Sequence, residues 1–331
     1  MSIRTKTLAG VVFAAFSVCL LVQPAQVQAQ AQQYPQRDIH ILNGYAAGSG
    51  ADVIVRYYAD KLQKLAGKAI IVENKPGASG NIAMEAAARS KPDGYTVYMT
   101  AGSSMANSVS LFKNLTVKPD KDFTMVTSLL RLSFVLVVGP KSPVKSVAEL
   151  TALMKTKPGN GLYGATAPSG IVSAELYKSV TGLNTQFVSY KDASSALVDL
   201  IDGSIDWMFM DPIAALEHIR SGKIRGLAVG AADKVQAIPE LPSMKEAGID
   251  GVDVVAWWAV ALPAGTPRPI VDQLAKWFNE ITATEESKGF INRVVGGDPF
   301  PGNPDQAQKL LETDIVRWRE YIKTAKIEPQ G

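Results

Sequence analysis

Strand and helix patterns alternate along almost the whole chain, which predicts an α/β fold in two lobes, each a mostly parallel sheet flanked by helices. Three observations carry this. Short apolar, β-rich runs are each followed by a helical pattern. The alternation falls into two series, with helices left over at the C-terminus. Two extended segments, 132–139 and 256–262, lie where the chain would pass between the series, and a pair of such crossings makes a hinge with a ligand cleft beside it.

In the first series "DIHIL" (38–42) is a strand and the helix that follows runs from about Ala51 to Leu65, with Ile54, Tyr58, Leu62 and Leu65 on one face. "AIIVE" (69–73), a helix over 81–90 and "YTVYMT" (95–100) continue the pattern. The second series opens with "FVLVVGP" (134–140), a strand ended by Gly-Pro. Ser146 with Glu149 three residues on is a capping box for a helix over 146–155. "GLYGA" (161–165) is a strand, then a helix from Ile171 stops at Gly182. "TQFVSY" (185–190), a helix closed by Gly203, "DWMFM" (206–210), a helix through "AALEHIR" and "IRGLAVG" (224–230) complete the series. "WWAVALP" (257–263) is then a strand, Thr266 and Pro267 are expected at the N-cap and first position of a helix over 266–281, and a last helix spans about 304–326.

The N-terminus is read as a leader. Arg4 and Lys6 precede an uncharged run from Leu8 to Val22, and "VQAQAQ" supplies small residues for cleavage after Ala29 or Ala31, so residues 1–31 are expected to be a secretory signal peptide. The single cysteine, Cys19, falls inside it, and "FSV" before it lacks the small residue that a lipid-modified cysteine needs. The exported chain would then hold no disulfide, thiolate metal site or cysteine nucleophile, which suits a periplasmic protein with an ordinary core. The formal net charge is +3, and losing Arg4 and Lys6 brings the remainder closer still to neutrality, so there is no basic footprint for nucleic acid. The residues after the leader, ~300 of them, are enough for two domains. The expected division is 32–138 with 257–331 as one lobe and 139–256 as the other.

Three loops concentrate small and hydroxylated residues at strand-to-helix junctions. "NGYAAGSGAD" (43–52) has glycines at 44, 48 and 50, the wrong spacing for a dinucleotide fingerprint, and no Lys-Ser/Thr follows for a P-loop. What it offers is close backbone approach and a helix N-terminus. Asp52 is placed to cap that helix or to receive a ligand ammonium. "GATAPSG" (164–170) has the same design in the second series, and "TAGSSMANS" (100–108) brings Ser103 and Ser104 to a strand end. None of the three contains Lys or Arg, so an anion there would be held by amides, hydroxyls and dipoles. Asp211 ends a strand and either caps the next helix or faces the cleft. Trp257 and Trp258 either wall the cleft or pack in the core.

Enzyme signatures are weak. The two histidines, His40 and His218, read as structural or surface residues, and there is no G-x-S-x-G elbow, H-E-x-x-H or His/Cys cluster. Ser79 in "PGASGN" resembles a nucleophile loop without a motif tying a histidine to it.

"YPQRDIHILNGYAAGSGADVIVRYYADKL", "VENKPGASGNIAMEAAARSKPDGYTVYM", "FVLVVGPKSPVKSVAEL" and "WWAVALPAGTPRPIVDQL" resemble the substrate-binding receptors of tripartite tricarboxylate transporters, the Bug-type receptors, over essentially the whole chain after the leader. The resemblance implies a periplasmic binding protein of type II, a Venus flytrap that captures a small carboxylate and delivers it to inner-membrane permease subunits. It implies a monomer with no cofactor, no metal and no catalytic residue. The ligand would be a di- or tricarboxylate, an acidic amino acid or an aromatic carboxylate. It carries over ligand contacts to Tyr45, Ala46, Ala47, Gly48, Ser49 and Gly50 in the first loop. Ala165, Thr166, Ala167, Pro168 and Ser169 follow in the second, with Ser103, Tyr190 and Asp211 beside them. The loop "YAAGSGAD" departs from relatives that have phenylalanine, proline or more glycines there, which bears on ligand identity. The alternatives are a ligand sensor for a membrane signalling partner and a periplasmic hydrolase using Ser79 or Ser103.

Overall fold

The computed structural model describes residues 34–330, so the expected leader, its cleavage site and Cys19 lie outside the described residues. Eleven strands are named among them: β1 (Ile39–Asn43), β2 (Ile70–Asn74), β3 (Thr96–Ala101), β4 (Phe123–Ser133), β5 (Val135–Val138), β6 (Leu162–Ala165), β7 (Gln186–Ser189), β8 (Trp207–Met210), β9 (Arg225–Val229), β10 (Val255–Pro263) and β11 (Asp298–Pro299). They form a six-stranded sheet in the order β11-β4-β10-β3-β1-β2 and a five-stranded sheet in the order β7-β6-β8-β5-β9. This is the expected two-lobed α/β architecture.

The sheets are mixed rather than mostly parallel. β1 runs parallel to β2 and β3, and β6 parallel to β7 and β8. β10 is antiparallel to β3 and β4, and β5 to β8 and β9. The reason is connectivity. Parallel neighbours need a crossover helix, whereas a strand that enters a sheet directly from the other half is free to run against its neighbours. β5 enters straight from β4, the chain changing sheets at Phe134, within the segment read as a crossing and ahead of the expected division after residue 138.

Most helices begin and end where the sequence signals place them. The helix Gly50–Ala66 stops at Gly67 in the left-handed conformation, and its apolar stripe of Ile54, Tyr58 and Leu62 is fully buried. Ser146 caps the helix Val147–Thr156, but Glu149 reaches back to the amide of Lys145 rather than of Ser146. The helix Pro168–Thr181 starts three residues earlier than expected because Pro168 fits its first turn. Thr266 does not cap the helix Arg268–Ala283: Pro267 holds the N-cap position, and the threonine hydroxyl donates to the carbonyl of Pro263.

Among the elements not anticipated from the sequence, two bear on the site. β4 is the longest strand and lies between β11 and β10. The stretch Gly102–Leu111, taken as a loop, is a helix pinned between β10 and the C-terminal helix Pro304–Thr324. Gly102 is required there, since a Cβ would fall 2.3 Å from the Trp257 ring. The C-terminal helix also touches the helix Pro168–Thr181, so it spans both halves. Among the described residues no helix is long and apolar enough to cross a membrane.

Candidate functional site

Sheet order decides where a site forms. β1 and β3 are parallel neighbours, so their C-terminal ends lie side by side, and so do those of β6 and β8. In open α/β sheets ligands bind outside those ends. Here the loops leaving β1, β2 and β3 meet the loops leaving β6 and β8 around a cavity of about 310 Å³.

The first loop is built around Asp52, which is 2% exposed. Its carboxylate accepts from the Gly48 amide (2.8 Å), Asn43 Nδ2 (3.1 Å), Asn74 Nδ2 (2.8 Å) and Arg56 Nε (2.8 Å). Asn74 Nδ2 also donates to the Tyr45 carbonyl at 3.0 Å, so one buried carboxylate and its two amides hold the turn in shape. Burial pushes this carboxyl upward, but the bonds from Asn74, Arg56 and Gly48 outweigh it and leave the pKa below its ordinary value. With both oxygens engaged, Asp52 is a scaffold for the loop, not a receiver for a ligand ammonium. The N-cap is Ser49, whose Oγ accepts from the Asp52 amide at 3.2 Å.

Of the first-loop residues expected at the ligand, Tyr45 and Ala46 line the cavity, together with Gly44 and Ala51. Ala47, Gly48, Ser49 and Gly50 do not: the first two are on the exposed rim, Ser49 serves the helix, and Gly50 packs on Ile213 of the facing half. Tyr45 leans on Trp258, ring centroids 5.7 Å apart, and its hydroxyl meets Ser104 Oγ at 3.1 Å. Burial raises the pKa of that hydroxyl, with hydrogen bonds from Ser104 and Thr100 opposing.

From the second loop Thr166, Ala167, Pro168 and Ser169 line the cavity, while Ala165 is buried in the strand end. No side chain caps the helix that begins at Pro168. Tyr190 is turned away: its ring covers Gly164 and its hydroxyl donates to Asp199 Oδ2 at 2.6 Å. Asp211 is both cap and cavity residue, with Oδ1 accepting the Ile213 amide at 2.8 Å. Burial pushes its carboxyl up to about 6, the Ile213 hydrogen bond working against that.

The floor comes from the unexpected helix Gly102–Leu111. Ser103 and Asn107, one turn apart on one face, are 2% and 4% exposed, line the cavity, and have side chains that no described residue hydrogen-bonds. Neither is a sealed orphan, since both side chains open onto the cavity, where water or a ligand can meet them. The remaining wall is Gly77, Ser79 and Gly80, where four successive residues, Gly77 to Gly80, have positive φ. Two of the four, Ala78 and Ser79, are not glycine, a strained conformation of the kind that functional sites hold. Gly44 must be glycine for this loop to approach, since a Cβ would sit 2.9 Å from Gly80 Cα.

Sequence reading thus missed Asn107, Phe134, Ile213 and the Gly77–Gly80 wall as lining. "PGASGN" held the signal for the last, in two glycines at a strand-to-helix junction. Trp258 lines the cleft, whereas Trp257 packs on Gly102 and donates to the buried Asp314 at 2.9 Å.

The described lining contains no Lys, Arg or His, and Asp211 is its one carboxyl. His40 pairs with Glu73 on the neighbouring strand and His218 is at the end of the helix Pro212–Arg220, so neither serves Ser79 or Ser103 as a base. Among the described residues no group of three or more His, Cys, Asp or Glu could hold a metal ion. A second cavity, about 270 Å³, lies behind the crossing strands, reached by Arg131, Ser133, Val255 and Trp257, which alternate with the cleft-facing Ala256 and Trp258, while Leu132 touches both cavities. Arg131, Lys234, Asp233 and Asp298 mix both charges there.

Comparison with known proteins gives the same direction. A family model described as "Tripartite tricarboxylate transporter family receptor" matches residues 54–327. The protein BugT of Bordetella pertussis is 31% identical over 298 residues, covering 88% of this chain and 90% of its own. A structure of the R. palustris protein Rpa4515 with adipate is 30% identical with a TM-score of 0.82, covering 90% of this chain and all of that one. MatC from Rhodopseudomonas palustris with bound malate is 25% identical with a TM-score of 0.75, covering 87% of this chain and all of that one.

Proposed function

The chain belongs to the tripartite tricarboxylate transporter receptor family, and from that premise we propose that its cleft captures a small carboxylate for the inner-membrane permease subunits of such a transporter. The family consists of periplasmic solute-binding receptors rather than enzymes. The observation that carries the finer reading is the cavity's own chemistry: strand-end loops from both halves, hydroxyls and backbone amides in place of cations, and Ser103 and Asn107 facing the cavity without a protein partner. Preorganised amides and helix N-termini hold carboxylates without an ion pair. Adipate and malate in related structures are small carboxylates. In this reading Tyr45, Thr166, Ser169, Ser103 and Asn107 contact the ligand, residues 1–31 are removed on export, and the receptor acts as a monomer.

Binding works here by closure. A ligand shifts the open–closed balance only as far as it prefers the closed state, so contacts from both halves to one anion are the source of affinity. The test is a melting-shift screen of di- and tricarboxylates, acidic amino acids and aromatic carboxylates on the leaderless protein. One class should stabilise it by about 2.7 kcal/mol at a hundredfold excess over Kd and be recovered unchanged by mass spectrometry. No shift from any carboxylate, or turnover of the one that binds, would defeat the reading.

A further inference from the structure

Asp211 stands in the cleft without a cation to answer it. Its Oδ1 is used by the Ile213 amide at 2.8 Å, and no described residue hydrogen-bonds or ion-pairs with Oδ2. The elements packed around it supply no positive charge. β8, which it follows, is Trp-Met-Phe-Met. The helix Pro212–Arg220 has Glu217, His218 and Arg220 at its far end, ~9 Å or more along the axis at 1.5 Å per residue. Across the cleft the loop after β1 presents Tyr45, and the helix Gly50–Ala66 touches Ile213 through Gly50, with its first charge, Asp52, already bound to Arg56. β10 contributes Ala256 and Trp258, and the helix Pro168–Thr181 contributes Pro168 and Ser169. The segment 291–296 packs on Pro212 through Gly296, and its charge, Arg293, is turned back on Gly289.

We propose that Asp211 makes ligand capture proton-linked: a ligand carboxylate settles beside it only when Asp211 carries a proton, which it then donates in a carboxyl–carboxylate hydrogen bond. The inference rests on the carboxylate reading of the cleft. Two carboxylates sharing one site do not both stay ionised, and an O–H···O⁻ bond is among the strong ones. The balance is one anion bound and one solvent proton taken up, with no covalent bond broken. A carboxyl already pushed up to about 6 by burial is poised for this near neutral pH. Asp211 would then be a specificity residue that makes affinity depend on pH.

The test uses adipate and malate as probes, both mostly dianionic from pH 6 to pH 8, titrated calorimetrically into wild type and Asp211→Asn in two buffers of different ionisation heat. Asparagine keeps an oxygen for the Ile213 cap and offers an N–H that needs no added proton. With Asp211 titrating near 6, wild-type affinity for the probe that binds should fall roughly fifty-fold from pH 6 to pH 8, with nearly one proton taken up at pH 8. Asp211→Asn should bind with no pH dependence and no uptake. Wild-type affinity that is flat with pH, without uptake, overturns the inference, and so does binding that strengthens with pH and is lost in Asp211→Asn. Either result leaves the carboxylate receptor standing. Failure of both probes and of the whole carboxylate panel at pH 6 overturns the function reading itself, and this inference with it. The wild-type profile decides the matter even where Asp211→Asn folds poorly.

Discussion

Asp52 and Asp211 each sit where a strand hands over to a helix, and their surroundings drive them apart. Asp52 is buried among four donors and titrates below the ordinary carboxylate value; Asp211 is buried with one donor and titrates above it. The first belongs to the architecture and the second to the cavity, a distinction that charge and spacing in the sequence do not make, because it depends on which amides fold back onto which oxygen. The consequence for Asp52 has a definite sign. A carboxyl with a depressed folded pKa contributes stability that is fully present above its unfolded value, near 4, and is lost as pH falls through the lower folded value. Asp52→Asn should therefore destabilise the protein at pH 7 by about 2 kcal/mol, the scale of charge-assisted hydrogen bonds. Its deficit against wild type should shrink below pH 4. Urea unfolding of both proteins at pH 7 and pH 3.5 measures this, and a deficit that does not change with pH would mean the charge on Asp52 does nothing for the loop.

At the scale of elements, the alternation of strands and helices was legible because several βα units carry their own punctuation, such as Gly182 and Gly203 after helices and Ser146 before one. β4 was not, because "FTMVTSLLRLS" is buried almost throughout and so shows no period, while its serines and threonines break the apolar run. The helix Gly102–Leu111 was not, because "GSSMANSVSL" has the composition of a loop: serine and asparagine favour turns when left alone. Tertiary packing overrides that preference here, with β10 on one side and the C-terminal helix on another. The price of that helix is a polar face turned inward, where Ser108 finds Asn81 and the Ser104 carbonyl, but Asn107 finds nothing. Its amide faces the cavity, where water can stand in for a protein partner. Asn107→Leu, close in volume, should leave the ligand-free stability within about 1 kcal/mol of wild type and weaken ligand binding at least tenfold. Thermal melts with and without the carboxylate found by screening separate the two effects. A variant that loses more stability than that would show that Asn107 is an ordinary structural amide.

On the scale of the whole molecule, the two halves meet across the cleft at a point that sequence reading assigned to the ligand. Gly50 begins a helix of the first half, and Ile213 is in the first turn of a helix of the second; a Cβ on Gly50 would lie 2.9 Å from Ile213 Cγ2 and 3.2 Å from its Cβ. Isoleucine is stiff at χ1, so the side chain has little room to retreat, and what yields is the approach of the halves. In the proposed receptor Gly50 would act through closure, as the residue whose missing side chain lets the two halves approach. Within its own helix alanine is the better residue, by about 1 kcal/mol over glycine in an interior position and less in the first turn. Gly50→Ala should therefore leave the ligand-free melting temperature unchanged or slightly higher. In a receptor whose halves part when no ligand is bound, the clash falls on the closed state, and about 1.4 kcal/mol of it reduces affinity tenfold. Adding Ile213→Ala should restore part of that loss, a coupling that two independent sites would not show. Calorimetric Kd values for the four proteins of the cycle, measured with one carboxylate, give the answer. Unaltered affinity in Gly50→Ala would mean that the ligand-bound molecule keeps these two helices apart, and that closure is set elsewhere along the cleft.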